Sequence, residues 1–338
     1  MLEPPGALPA VARRLDAHPD LWDSEARVHL TAVVLTDDDL AVLHARHGRE
    51  PGSLRAALLE GTAERGGLPE GLAGAVLVGT LAGVGPAWPH LLPSGTVLAT
   101  VGPAEAHPCW LADVSAWDGG TRVVPCRGHA VLAAASQIVA LRDAGDVAAL
   151  AELARSAGVA GLVADVTHPG DRVAVIGATT VVGALASVAS LDCGAGLVGG
   201  LVTSLQEARL ARSLGVAEPV IADVGEPADA AEALAGAIGG PADVVVVGVD
   251  DPAAITVATL LAGDGTVLLA HGRRHAEHAA RTAAALGTSP IIRADRPAVR
   301  DAGAELLTML EDRPGLAELV RWRVGTGPAP AATRPEDG

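Results

Sequence analysis

A β-rich N-terminal domain followed by a doubly wound parallel α/β sheet is the fold class that this 338-residue chain predicts, from three observations. Short apolar runs parted by Gly/Pro turns fill the N-terminal part. From Asp146 the pattern turns to alanine-rich helix, and beyond it short apolar strands alternate with helices, as in a parallel sheet buried on both faces. Between the two lies His168–Ser187, HPGDRVAVIGATTVVGALAS: a Pro-Gly-Asp turn, a buried strand, a glycine-bounded turn and a small-residue helix.

Taken in order, Met1–Asp23 is rich in Pro and Ala and is expected to wrap the first domain's surface. Arg27–Leu35 alternates as a strand, and Asp37–Asp39 is expected to cap a helix through His47. Ser53–Arg65 reads as a helix capped by Ser53. Ala73–Ala82 and Thr96–Val101 read as strands, and Ala130–Leu141 as a further β-rich run, together a small barrel-like domain. After the alanine-rich helix to Asp165, the strands are Arg172–Ile176, Gly196–Val202, Pro219–Ala222, Asp243–Val247, Gly265–Ala270 and Ser289–Ile292. The helices between them are one opening at Ala184, then Leu205–Leu214, Pro227–Ile238, one ending in Val257–Leu261, and His275–Leu286. Asp301–Leu310 and Leu316–Trp322 close the fold, and 325–338 is a Pro/Ala-rich tail expected to be disordered.

Composition excludes several chemistries. Lys, Asn, Phe and Tyr are missing altogether, and only two Met and seven Ile occur; all six types have AT-rich codons, so coding bias explains the gap. A Tyr/Lys acid–base pair, a P-loop lysine and a lysine Schiff base are therefore impossible. The net charge of −16 argues against a nucleic-acid partner. Three cysteines, the lack of a basic-then-apolar start, and no uninterrupted apolar stretch of membrane-span length predict a cytoplasmic protein that engages no membrane.

Strand, glycine turn and helix N-terminus together suit a dinucleotide pyrophosphate, because backbone N–H groups and about half a positive charge converge there. The candidate cofactor contacts are Gly177, Ala178, Thr179, Thr180, Val181, Val182 and Gly183. Thr203 and Ser204 after the second strand, Gly248 and Val249 after the fourth, and His271 after the fifth complete the set. The plainer reading is an α/β fold whose first turn merely happens to be glycine-bounded.

The Gly83–Val84–Gly85–Pro86 turn followed by Ser94–Gly95–Thr96–Val97, ahead of HPGDRVAVIG and the strand–helix alternation, resembles the medium-chain dehydrogenase/reductase superfamily. That resemblance implies a GroES-like domain over 1–147 with 300–324 packing back on it, and a Rossmann domain over 148–299. More closely, Leu2–Asp16, Asp23–Asp37, Gly79–Gly85, Val147–Asp171 and Gly265 through Leu319 resemble, in order, the L-erythro-3,5-diaminohexanoate dehydrogenase family. Gly177 and Gly183, six apart, match that family's longer turn. The resemblance implies NAD(P)-dependent oxidative deamination at carbon 3 of 3,5-diaminohexanoate, giving 5-amino-3-oxohexanoate and ammonia by way of an imine, in lysine degradation. A homodimer through Ser289–Ile292 is the expected assembly.

Several positions depart from the pattern. Thr179 replaces the middle glycine, whose absence of a side chain lets the backbone approach the pyrophosphate. Thr203–Ser204 stand where a ribose-binding acid is usual, which permits NADP; Arg209 and Arg212 are candidates for a 2′-phosphate, or simply solvated helix charges. Arg155 stands where the family has an acid. Together these keep open a diverged, non-catalytic subunit, or a reductase with another substrate. In the remaining loops, Asp250 is a candidate to hold a substrate ammonium, His271 a proton shuttle, and Arg273 a carboxylate partner. Asp38, in the aspartate run, is a candidate for a cationic substrate. The superfamily's zinc motifs are absent, so no metal is expected; His107-x-Cys109 and Cys126-x-x-His129 have ligand-like spacing but read equally as a loop with two buried cysteines.

Overall fold

The computed structural model describes residues 12–72, 74–101, 104–141, 147–156, 158–270, 276–293, 309 and 312–323. The chain divides into two compact units, Met1–Ala157 and Gly158–Gly338.

The first unit is built on a six-stranded antiparallel sheet. Its strands are β1 (Glu25–Val34), β2 (Val76–Val84), β3 (Val97–Val101), β4 (Cys109–Asp113), β5 (Val123–Ala133) and β6 (Gln137–Leu141), in the order β4-β5-β1-β2-β3-β6. Central β1 pairs with both β2 and β5. Helices α1 (Asp37–His47) and α2 (Pro51–Arg65) follow β1. Leu35, Leu43, Leu54, Leu58, Leu77, Leu98 and Trp117 are fully buried and Trp88 nearly so, so leucines and two tryptophans supply the bulk of a core that a chain without Phe or Tyr must build.

Three local elements differ from the sequence expectation. Helix α1 has Thr36 as its N-cap, and of the three aspartates Asp39 is its capping-box partner. Thr36 Oγ1 accepts from Asp39 N–H at 3.0 Å, while Asp39 Oδ2 accepts from Thr36 N–H at 2.8 Å, a reciprocal capping box that buries Asp39. Helix α2 starts at Pro51 and is capped by Glu50, whose carboxylate accepts from Ser53 N–H; Ser53 is already inside the helix. Finally, Cys109–Asp113 is a strand; the β-rich run Ala130–Leu141 comprises the end of β5 and all of β6, joined by a turn in which Ser136 N–H donates to Ala133 O.

Helix α3 (Val147–Ser156) packs on β1, β2, β3 and β6, and so belongs with the first unit. Its Arg155 ties it to the chain around β1 and β2. The guanidinium donates to Val34 O at 3.0 Å, Leu35 O at 3.2 Å and Gly74 O at 3.0 Å, and pairs with Glu152 at 2.9 Å. Burial lowers its pKa, and Glu152 opposes that. Arg155 therefore fastens strand ends.

The second unit holds a six-stranded sheet whose strands are parallel. They are β7 (Arg172–Ile176), β8 (Leu197–Val202), β9 (Glu218–Ile221), β10 (Val244–Val247), β11 (Thr266–Leu269) and β12 (Ile291–Arg293), ordered β12-β11-β10-β7-β8-β9. This is the Rossmann order, reversing between β7 and β10. The helices are α4 (Gly158–Ala164), α5 (Val181–Asp192), α6 (Leu205–Ser213), α7 (Pro227–Ile238), α8 (Pro252–Ala262), α9 (Ala276–Leu286) and α10 (Pro314–Arg323). Helix α5 opens at Val181, three residues before the expected Ala184, because Thr180 caps it and the turn is correspondingly tighter. Of the segment 300–324, residues 309 and 312–323 are described, and α10 within it packs against α5. The tail 325–338 and most of Asp301–Leu310 lie outside the described residues.

Candidate functional site

Parallel α/β sheets bind ligands outside the carboxyl ends of their strands where the strand order reverses. Here that crevice is bounded by the turns after β7 and β10. Gly177, at φ 76°, begins the first turn in the left-handed region, and a Cβ there would meet Val249 Cγ1 at 2.6 Å. Gly183 lies in the first turn of α5; a Cβ on it would sit 2.1 Å from Gly177 O, so only glycine lets the helix start this close to the strand end.

Thr180 knits the crevice together. Its Oγ1 accepts from Gly183 N–H at 3.0 Å, and its hydroxyl faces Gly177 O at 2.9 Å and Gly248 O at 3.1 Å. The cap takes the third N–H of the helix. The N–H groups of Val181 and Val182 have no acceptor among the described residues. A helix of 12 residues with two open N–H groups at a strand-order reversal suits an anion.

A cation joins them from far along the chain. Arg323, the last residue of α10, donates from Nε to Thr179 O and from Nη2 to Thr179 Oγ1, both at 2.7 Å. The same Nη2 pairs with Glu207 Oε1 at 2.5 Å. Its guanidinium carbon lies 4.4 Å from the centroid of the Trp322 ring, within cation–π range. Thr179 is thus buried beneath an arginine, and its side chain is spent on holding that arginine.

Glu207 ends the network. Its Oε2 accepts from Thr203 N–H at 2.9 Å and Thr203 Oγ1 at 2.7 Å. Desolvation raises this carboxyl, but the Thr203 N–H, Arg323 and the Thr203 hydroxyl outweigh it and bring it down to about 2. The carboxylate is ionised at neutral pH.

Of the residues read from sequence, Gly177, Thr179, Thr180, Gly183 and Gly248 converge on this crevice, with Ala178, Val181, Val182 and Val249 in the same two loops. Thr203 and Ser204 stand exposed after β8, where Ser204 caps α6 by accepting from Glu207 N–H. Arg209 and Arg212 are exposed on α6. Asp250 is exposed in the loop after β10, while its neighbour Asp251 caps α8. His271 and Arg273 lie outside the described residues. Asp38 is exposed on the first turn of α1, in the first unit. Arg323 and Glu207 were not singled out from sequence. For Glu207 a signal existed: Thr203-Ser204-x-x-Glu207 is a capping-box spacing that returns an acid to the strand end.

The ligand-like His/Cys spacing falls on strands and a strand edge. Cys109 opens β4 and Cys126 lies in β5, both buried. Burial pushes both thiols up to about 12, reinforced at Cys109 by Cys126 and at Cys126 by Asp113. His107 is buried, which lowers its pKa against a backbone hydrogen bond with Val101. His129 Nε2 bonds to Ala17 O at 2.7 Å. Among the described residues no three His, Cys, Asp or Glu side chains converge as a metal site.

Residues 1–142 match the family model of the L-erythro-3,5-diaminohexanoate dehydrogenase N-terminal domain. No curated protein matches the chain. Among solved structures, a quinone oxidoreductase of Pseudomonas syringae pv. tomato is 18% identical, with 94% of this chain and 92% of that one covered and a TM-score of 0.54. An alcohol dehydrogenase from a Thermus species is 16% identical over 92% of each chain, with a TM-score of 0.52. An alcohol dehydrogenase superfamily protein of Novosphingobium aromaticivorans is 18% identical, covering 94% of this chain and 84% of its own, with a TM-score of 0.53. At these identities the likeness is one of fold.

Proposed function

With an N-terminal domain of the 3,5-diaminohexanoate dehydrogenase family on a medium-chain dehydrogenase fold, we propose that this protein is a nicotinamide-dependent oxidoreductase. Its reaction is the oxidative deamination of 3,5-diaminohexanoate to 5-amino-3-oxohexanoate and ammonia. The observation that carries the cofactor reading is the crevice after β7, where an anion site formed by Gly177, Gly183 and the open N–H groups of α5 is backed by Arg323. The match over residues 1–142 supports the substrate.

In this reading the N–H groups of Val181 and Val182 and the guanidinium of Arg323 hold the pyrophosphate. Thr180 keeps the turn in register, and Gly248 and Val249 border the rest of the dinucleotide. When bound, the nicotinamide supplies the oxidant for the substrate's carbon–nitrogen bond. Asp250 orients the ammonium, His271 takes a proton, and Arg273 pairs with the substrate carboxylate.

One observation favours a second reading, a diverged subunit without catalysis. Thr179 is 2% exposed and carries a Cβ where close approach to a pyrophosphate needs none. Calorimetric titration with both nicotinamide cofactors, followed by an assay of ammonia released from 3,5-diaminohexanoate, separates the two. Binding with turnover is expected. Binding without turnover supports the diverged subunit, and no binding by folded protein overturns the dehydrogenase reading. A homodimer through the sheet edge is part of the proposal: β12 ends the sheet, and Ile291 on it is 61% exposed.

A further inference from the structure

Strand β8 ends in Val202-Thr203-Ser204 without an acid, yet a carboxylate stands at that end. Glu207 reaches back from the first turn of α6 to hold the N–H and hydroxyl of Thr203. Because Thr179 Oγ1 and Glu207 Oε1 accept from the same Arg323 nitrogen, the two oxygens lie within about 5 Å of each other. The carboxylate is therefore one guanidinium away from the glycine turn, on the side where a Rossmann sheet places the adenosine ribose.

We propose that Glu207 receives the adenosine ribose hydroxyls and makes this chain select a dinucleotide with a free 2′-hydroxyl over its 2′-phosphorylated counterpart. The inference rests on the reading of the crevice as a dinucleotide site.

The acceptor count permits it. A carboxylate offers about four lone-pair directions, and three are taken here, two by Thr203 and one by Arg323. One remains for a ribose hydroxyl, and the side chain is 15% exposed, enough to be reached without unfolding the helix. A 2′-phosphate brings negative charge and no donor to the same place. Arg323 does not reverse the preference. Its Nε and Nη2 are held by Thr179 and Glu207, which leaves Nη1 for the pyrophosphate and none of its donors for a 2′-phosphate. The positions usually scanned for this acid, Thr203 and Ser204, instead serve as the carboxylate's anchor and the helix cap.

The test is calorimetric titration of the full chain with NADH and NADPH, for wild type and Glu207→Gln. Wild type is expected to bind NADH about tenfold more tightly or better, the equivalent of one unit of pKa-scale discrimination. Glu207→Gln keeps an acceptor for Thr203 but loses the charge, and is expected to bring the two affinities within about threefold, chiefly by improving NADPH. Equal or tighter binding of NADPH by wild type overturns the inference while leaving the dehydrogenase reading intact. So does an unchanged ratio in the variant. Failure of folded wild type to bind either overturns both. The wild-type ratio needs no variant, so a poorly folding Glu207→Gln does not protect the inference.

Discussion

Replacing Thr180 with valine removes one hydroxyl and almost no volume. The side chain caps α5 through Gly183 N–H at 3.0 Å, and its proton is placed between Gly177 O and Gly248 O. Losing an N-cap costs about 1 kcal/mol, with a span of about 0.5–2. Losing the donor to carbonyls in a partly buried turn costs about 1 kcal/mol more. For a domain of this size each kcal/mol lowers Tm by about 2–4 °C, so Thr180→Val should melt about 4–8 °C below wild type. Thr180→Ser keeps the oxygen and should stay within about 2 °C. Circular dichroism melts of the three proteins at one pH decide the matter. If Thr180→Val melts with wild type, the hydroxyl does not join the two loops, and the account of the crevice as a prearranged unit fails with it.

Two further outcomes are expected. Arg155→Met strips the donors from three strand-end carbonyls and leaves Glu152 unpaired in a site where both side chains are mostly buried. Breaking such a pair costs about 3 kcal/mol or more, so urea unfolding monitored at the first domain should shift to markedly lower denaturant; an unmoved midpoint would make Arg155 a surface charge after all. Glu207 titrates at about 2 when folded, below its ordinary 4.5. Its contribution, reduced by solvent screening to the order of 2 kcal/mol, is therefore fully present above pH 4.5 and lost as pH falls toward 2. Asp113 is also held at about 2 and titrates in the same window, so the informative quantity is the difference between wild type and Glu207→Gln. The variant's acid limb should be shallower, and superimposable limbs would refute the coupling.

What the sequence made legible was what local physics decides. A run such as VAVIG followed by a capped small-residue helix has few alternatives, and Asp243–Val247 differs by one residue from the strand Val244–Val247. Strand β4 escaped because five residues, CWLAD, preceded by His and Pro, carry too short an alternation to stand out from their ligand-like spacing. The capping residues were misjudged at α1 and α2 because Asp, Ser and Glu all accept hydrogen bonds, and only the backbone's entry angle decides which one does. Arg323 was invisible for another reason: it meets Thr179 across 144 residues of chain, and nothing local to either marks the meeting. Glu207 lay between these cases, its spacing readable and its reach over the strand end not.

The stacking of Arg323 on Trp322 has an optical consequence. The chain has five tryptophans and no tyrosine, and the other four, Trp22, Trp88, Trp110 and Trp117, all fall in the first unit. Trp322 is thus the second unit's sole ultraviolet emitter, and it is attached to the guanidinium that touches the glycine turn. Tryptophan emission overlaps the absorption of a reduced nicotinamide. With the other four indoles replaced, the emission of this one becomes a built-in gauge of what occupies the turn and of whether its arginine is still engaged.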